Sequence, residues 1–180
     1  MEVRYFDIKG LVEFIPKIFK DDRGSFFESF RQDVLLKEGI TKPFVQDNQS
    51  FSYKNVLRGI HFQKKPHEQG KLIRVAYGKA LDVAVDLRPD SATFGMSQNV
   101  ILDAVNNNMF YIPEGFGHGF LALENCILQY KCTTYYHPPS DSGIIWNDPD
   151  LKIQWGIEEP LLSAKDAALH TFKSFKDKMI

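Results

Sequence analysis

Two short segments hold the side chains best suited to proton chemistry. In RGIHFQ, residues 58–63, alternation along a strand predicts Arg58, Ile60 and Phe62 on one side and Gly59, His61 and Gln63 on the other. A lone strand histidine is most simply a satisfied, half-buried imidazole, but imidazole is also a base that works near neutral pH. In YIPEGFGHGF, residues 111–120, a Pro-Glu-Gly turn makes a tight reversal and delivers His118 to the start of the next strand. Lys71 and Arg74 follow the Gln69-Gly70 turn, where a strand lysine is ordinarily a solvated edge residue. In LQYKCTTYY, residues 128–136, Tyr130 and Lys131 point to opposite faces, and core packing is the usual role of such tyrosines. Ser163 and Asp166 in SAKDA form an S-x-x-D capping box, which accounts for Asp166 without any catalytic role.

The elements that must position these groups are short, strand-like runs broken by turn residues every 8–12 positions, the texture of a sandwich or barrel. Lys71–Tyr77 and Ala80–Leu87 flank a Gly78-Lys79 turn and read as a hairpin. In the second run Leu81, Val83, Val85 and Leu87 share a face that must meet a core. Asp82, Ala84 and Asp86 share the other, which meets solvent or a polar cavity. Further strands are expected at Leu11–Phe14, Phe44–Tyr53, Val56–Gln63, Ser97–Leu102, Met109–Ile112, Gly119–Leu123 and Ile127–Tyr136, with helices at Gln32–Lys37 and Ser163–Phe172. The fold class is therefore all-β, a double-sheet jelly roll with short edge and C-terminal helices, occupying residues 1–180 as a single domain.

Composition narrows the function classes. Lys+Arg is 22 against Asp+Glu 23, a formal charge of −1, which argues against a protein that coats nucleic acid or an anionic membrane. The aromatic share is 13%, driven by fifteen Phe, and composition does not say whether these fill a core or line a site. Cys126 and Cys132 make neither a disulfide framework nor a zinc spacing and read as ordinary thiols in a reducing compartment. The N-terminal MEVRYFDIKG lacks the apolar stretch of a signal peptide, and no apolar run approaches the length of a membrane span. The expectation is a soluble, cytoplasmic protein.

Taken together, the His61 and His118 segments resemble the two halves of the cupin signature. Metal-binding cupins supply H-x-H in the first half, whereas here Gln63 stands at the second position and is a poor ligand. His67 and Glu68 fall in a Lys/Pro/Gly-rich turn, where solvated side chains are the simpler reading. Two imidazoles do not make a site, so no metal is expected.

The blocks DDRGSFFESF (21–30), FVQDNQS (44–50), NVLRGIHFQ (55–63), QGKLIRVAYGKALDVAVDLR (69–88), FYIPEGFGHGFLAL (110–123), YKCTTYYHP (130–138), SGIIWNDPDLKIQW (142–155) and LSAKDA (162–167) carry a closer resemblance. In this order and spacing, nearly end to end, the chain resembles the dTDP-4-dehydrorhamnose 3,5-epimerase family. That resemblance implies a metal-free, cofactor-free, homodimeric jelly roll acting on a dTDP-linked 4-keto-6-deoxyhexose. The C4 ketone acidifies the hydrogens at C3 and C5, so inversion needs a base, an acid and enolate stabilisation.

By similarity His61 is the base, Asp166 its orienting carboxylate, Lys71 the cation facing the C4 oxygen and Tyr130 the acid on the opposite face. Arg23, Glu28, Gln46, Asn48 and Arg58 align with residues that hold dTDP, Phe26 and Tyr136 with aromatic contacts to thymine. His118 aligns with a substrate hydrogen-bond partner, and Asp141 and Lys165 with further binding positions. Family members often carry Glu where Asp141 stands. A segment within about residues 1–30 crosses to the partner subunit in the family, so Arg23 and Glu28 are candidates to act in trans. On the same reading the Asp face of the second hairpin strand is cavity wall, with Asp82 a candidate supporting carboxylate. The alternatives are an epimerase that inverts C3 or C5 alone, a metal-dependent cupin isomerase, and a non-catalytic sugar-nucleotide binder.

Overall fold

The computed structural model describes residues 1–177. Its strands are β1 (Glu2–Tyr5), β2 (Val12–Ile15), β3 (Phe19–Asp21), β4 (Gly24–Phe26), β5 (Gln46–Ser52), β6 (Leu57–Gln63), β7 (Lys71–Tyr77), β8 (Lys79–Asp86), β9 (Ser97–Asp103), β10 (Met109–Ile112), β11 (Phe116–Ala122), β12 (Cys126–Cys132) and β13 (Asp141–Gly143). The helices are α1 (Gln32–Lys37), α2 (Ala164–Ala167) and α3 (Phe172–Asp177). Two sheets form the jelly roll. One has the order β1-β2-β10-β7-β12-β5, the other β13-β6-β11-β8-β9, and β3 and β4 form a separate two-stranded ribbon.

Hydrophobic alternation builds three layers of core. Ile73, Val75, Phe110, Ile112 and Leu128 of the first sheet meet Ala80, Ala84, Phe116, Phe120 and Ala122 of the second between the sheets. The opposite face of β8 is apolar as well. Val83, Val85 and Leu87 pack with Leu57 and Ile60 against Ile144, Leu151, Trp155 and Phe172 of the C-terminal segment, which closes the outside of that sheet. The third layer sits under α1, where Leu35 and Ile40 cover Val12, Phe14, Leu72 and Met109. Each fully buried side chain of this size contributes about 1.5–3 kcal/mol.

Three sequence expectations are corrected. The strand expected over Ile127–Tyr136 stops at Cys132, because Thr133 turns aside: its Oγ1 accepts the Gly70 N–H and donates to Glu114 Oε1. The helix expected over Ser163–Phe172 is split in two. Between the halves His170 bridges to Ile144 and its carbonyl accepts the Ile145 N–H, so extended pairing wins over helix continuation. The short strands β1, β3, β4 and β13 lack a run of buried apolar residues, unlike the equally short β2 and β10, and sequence patterning missed them.

Candidate active site

A further correction, to the alternation along β6, creates the site. Along β11, His118 faces His61 and Phe120 faces Arg58 on β6, so two steps of β11 span three steps of β6. The extra residue is a β-bulge at Gly59-Ile60, which re-aims the side chains that follow. Arg58 and His61, expected on opposite faces, therefore share the face of His118 and Phe120, while Ile60 turns into the outer core. Glycine is required at 59. Its φ is +113°, and a Cβ there would fall 2.5 Å from Gly119 Cα and 2.6 Å from the His118 carbonyl oxygen.

The bulge also opens the route for a carboxylate. Beyond β13 the edge of β6 pairs only with single residues of the C-terminal segment: Leu57 N–H donates to Leu161 and Ile60 N–H to Ile144. Asp166 of α2 enters at this edge. Its Oδ1 lies 2.6 Å from His61 Nε2, off the N–H axis, and accepts the Gly59 N–H at 3.3 Å. Ser163, the N-cap of α2, donates its hydroxyl to Asp166 Oδ2 at 2.6 Å and accepts the Asp166 N–H at 3.0 Å. The capping role and the dyad role thus coexist. Burial pushes the Asp166 carboxyl up, but the bonds from His61, Ser163 and Gly59 outweigh it and hold the carboxyl at about 2. His61 keeps 30% of its side-chain surface exposed and so is open to a ligand.

Around this dyad the two inner faces gather the other predicted groups. Lys71, at the start of β7, makes no ion pair among the described residues, and its Nζ stands 5.9 Å from the Tyr130 ring centroid. Burial lowers its pKa, opposed by Cys132, Asp82 and Asp141. Tyr130 lies on β12 between Ile73 and Asn48. Burial raises its pKa, which keeps it a phenol and a proton donor. His118 is buried and bonded through Nε2 to Asp82 Oδ2 at 2.9 Å, and its ring centroid is 6.4 Å from that of Tyr130. Desolvation lowers the His118 pKa and keeps the ring neutral. The Asp face of β8 is therefore interior, not solvated.

A second cluster lies beside the first. Gln46 donates to Asn48 Oδ1 at 3.0 Å and accepts the Tyr136 N–H at 2.8 Å. The Tyr136 hydroxyl donates to Asp141 Oδ2 at 3.1 Å, and Lys165 Nζ donates to the same oxygen. Arg58 is held at Ser52 Oγ and the Phe51 carbonyl, leaving Nη1 uncommitted. Arg23, Phe26 and Glu28 do not join either cluster. Arg23 pairs with Asp21, Glu28 pairs with Arg31, and Phe26 is 67% exposed on the β3–β4 ribbon.

Gln63 serves structure: its carboxamide bonds the His67 and Tyr135 carbonyls and the His137 N–H. A larger groove of about 1080 Å³, lined by Phe62, Arg88, Asp141 and Phe175 among others, contains none of His61, Lys71, His118 or Tyr130. The sequence reading missed one residue of the site, Cys132. It accepts from Asn48 Nδ2 at 3.6 Å and neighbours Lys71 across the ladder. Its position two residues after Tyr130, on the same strand face, is the signal that could have found it.

These features agree with comparisons to known proteins. Residues 5–174 match the family model described as dTDP-4-dehydrorhamnose 3,5-epimerase. The chain is 49% identical over 164 residues to the dTDP-4-dehydrorhamnose 3,5-epimerase of Methanothermobacter thermautotrophicus, covering 88% of each chain. Among solved structures, the dTDP-6-deoxy-D-glucose-3,5-epimerase of Legionella pneumophila, in complex with dTDP-4-keto-L-rhamnose, superposes with a TM-score of 0.94 at 44% identity, over 99% of this chain and 96% of that one. A 3'-monoepimerase from Streptomyces bikiniensis, in complex with dTDP-quinovose, superposes with a TM-score of 0.90 at 34% identity, over 97% of this chain and 89% of that one. The chain therefore belongs to the dTDP-4-dehydrorhamnose 3,5-epimerase family, whose members are isomerases of nucleotide-linked sugars.

Proposed function

We propose that this protein converts dTDP-4-dehydro-6-deoxy-D-glucose to dTDP-4-dehydro-L-rhamnose by inverting C3 and C5. The observation that carries the proposal is the His61–Asp166 pair opposite Lys71 and Tyr130, in a chain 44% identical to a relative solved with dTDP-4-keto-L-rhamnose. With the Asp166 carboxylate beside Nε2, His61 carries its proton there, and the lone pair of Nδ1 is free to take a proton from carbon. The imidazolium that forms is stabilised by a carboxylate that stays ionised throughout. Negative charge moves onto the C4 oxygen, where the Lys71 ammonium meets it in a site shielded from water. Tyr130 returns a proton from the other face, inverting the centre. No electrons leave the substrate, so the reaction requires no redox cofactor.

Gln46, Asn48, Arg58, His118, Tyr136, Asp141 and Lys165 form the binding surface on this reading, with Arg58 and Lys165 suited to the diphosphate. Tyr136, half exposed, is suited to stack on thymine. Arg23, Phe26 and Glu28 lie on a projecting segment whose ion pairs are all local, which supports a homodimer in which they complete the partner's site. Free, buried Cys126 and Cys132 support a reducing, cytoplasmic setting. No described helix is long and apolar enough to cross a membrane.

A second reading, inversion at C3 alone, is favoured by the likeness to the Streptomyces 3'-monoepimerase. Proton NMR of dTDP-4-keto-6-deoxyglucose in D₂O with the purified protein separates the two. Deuterium entering C3 and C5 supports the double inversion, and entry at C3 alone rejects it. Activity that survives exhaustive chelation supports the metal-free course, and activity lost to chelation and restored by a divalent cation rejects it.

A further inference from the structure

Asp82 on β8 has 0% relative exposure; its Oδ2 bonds His118 Nε2, while its Oδ1 has no partner among the described residues. A fully buried carboxylate is costly unless a counter-charge compensates it, and a neutral imidazole does not do so. We propose that Asp82 is a positioning residue that supplies the counter-charge for the Lys71 ammonium while fixing His118 in the tautomer with Nε2 protonated.

Asp82 bonds His118, whose ring centroid is 6.4 Å from that of Tyr130, and Lys71 Nζ stands 5.9 Å from the same Tyr130 ring, so Asp82 and Lys71 flank one pair of rings. The negative groups that act on Lys71 are the Cys132 thiol from β12, Asp82 from β8 and Asp141 from β13. Nearby positive or neutral groups are His118 from β11 and His61 from β6, which act on one another and, through His118, on Lys71. Burial raises the Cys132 pKa, so at neutral pH it is an uncharged thiol. Asp141 is already neutralised by Lys165 and bonded by Tyr136. Of the three, Asp82 is the one that is buried with a carboxyl oxygen unpartnered among the described residues.

The reciprocal holds for Lys71. Burial favours its neutral amine, and a neutral amine cannot stabilise an enolate by charge. Asp82 keeps the ammonium in place without forming a tight ion pair that would occupy it. A salt bridge would occupy the ammonium and compete with the substrate oxygen; among the described residues Asp82 is paired with His118 instead. His118, locked by the same carboxylate, presents Nδ1 as an acceptor only.

The effect on turnover rests on the epimerase reading, whereas the titration and stability tests below stand without it. In the full chain carrying ¹³C-labelled lysine, with Lys71 assigned from Lys71→Arg, Asp82→Asn moves the Lys71 titration to lower pH. The alkaline limb of kcat moves the same way. The kcat at pH 7 falls about 10- to 100-fold, as for loss of one charge stabilising an oxyanion. A Lys71 titration unmoved in folded Asp82→Asn overturns the proposal. Where Asp82→Asn is too unstable to titrate, recovery of folded protein in the Lys71→Met/Asp82→Asn double variant supports the pairing, and a double variant as unfolded as Asp82→Asn rejects it. Where both single variants fold, a double-mutant cycle reads the same coupling. Lys71→Met and Asp82→Asn each destabilise the protein, and the charge-balanced double variant is more stable than their sum predicts. Additive losses reject the pairing.

Discussion

Replacing Asp166 by Asn tests the dyad with the least change of shape. In the native protein this carboxyl titrates at about 2 instead of near 4, because His61, Ser163 and Gly59 all bind its ionised form despite burial. That depression corresponds to about 2 kcal/mol as an upper bound, which for the stabilised imidazolium means a loss of about 30-fold in kcat. The amide must then choose an orientation. If its oxygen faces His61 and Gly59 while its NH₂ donates to Ser163 Oγ, only the charge is lost, and the 30-fold figure applies. If the NH₂ faces Nε2, the imidazole is driven to the wrong tautomer, and the loss approaches ~10⁴-fold, as in other His-Asp catalytic pairs. The assay is wash-in of solvent deuterium at C3 and C5, beside calorimetric affinity for dTDP, which should stay within about threefold because Asp166 does not belong to the nucleotide cluster. A kcat loss below about threefold refutes the dyad. The same carboxyl predicts a stability signature. Its folded pKa lies below the unfolded one, so its contribution is complete above pH 4 and disappears as pH falls through about 2. Acid unfolding of Asp166→Asn should therefore lack that component.

Three further outcomes are expected. His61→Ala should abolish deuterium wash-in while dTDP affinity is largely kept; undiminished exchange removes His61 as the base. Tyr130→Phe should retain exchange better than net epimerisation, since the phenol serves the reprotonating face, and equal loss of both counts against that role. Gly59→Ala forces a Cβ to within 2.5 Å of Gly119 Cα at a positive φ. Strain and overpacking together should cost about 2–5 kcal/mol, lowering Tm by about 5–20 °C in a chain of this size, with activity falling at least as steeply. A Tm within about 2 °C of the native value shows that the bulge can relax.

Much of the site was legible because its residue types are chemically distinctive and sit in ordered blocks. Residue type and motif mark His61, Lys71, His118, Tyr130 and Asp166 in the sequence, and the fold brings them together. What alternation could not supply was their facing. A period of two places Arg58 opposite His61, and only the bulge at Gly59 brings them together. The capping box at Ser163 and Asp166 was equally legible, but a local motif cannot show that the cap's carboxylate reaches an unpaired strand edge more than 100 residues away in sequence.

The sequence by itself determined an all-β class, the strands with apolar runs, the near-neutral charge and the inventory of acid-base groups, because these follow from local pattern and composition. Only the tertiary structure decided that both faces of β8 are buried, and that Asp82 is interior with one oxygen unpartnered among the described residues. It alone decided that Arg23, Phe26 and Glu28 stand away from the cluster they were matched to. The physical reason is common to all three. Burial and charge compensation depend on what the other sheet, the C-terminal segment and the ribbon place nearby, and none of those neighbours is adjacent in the chain.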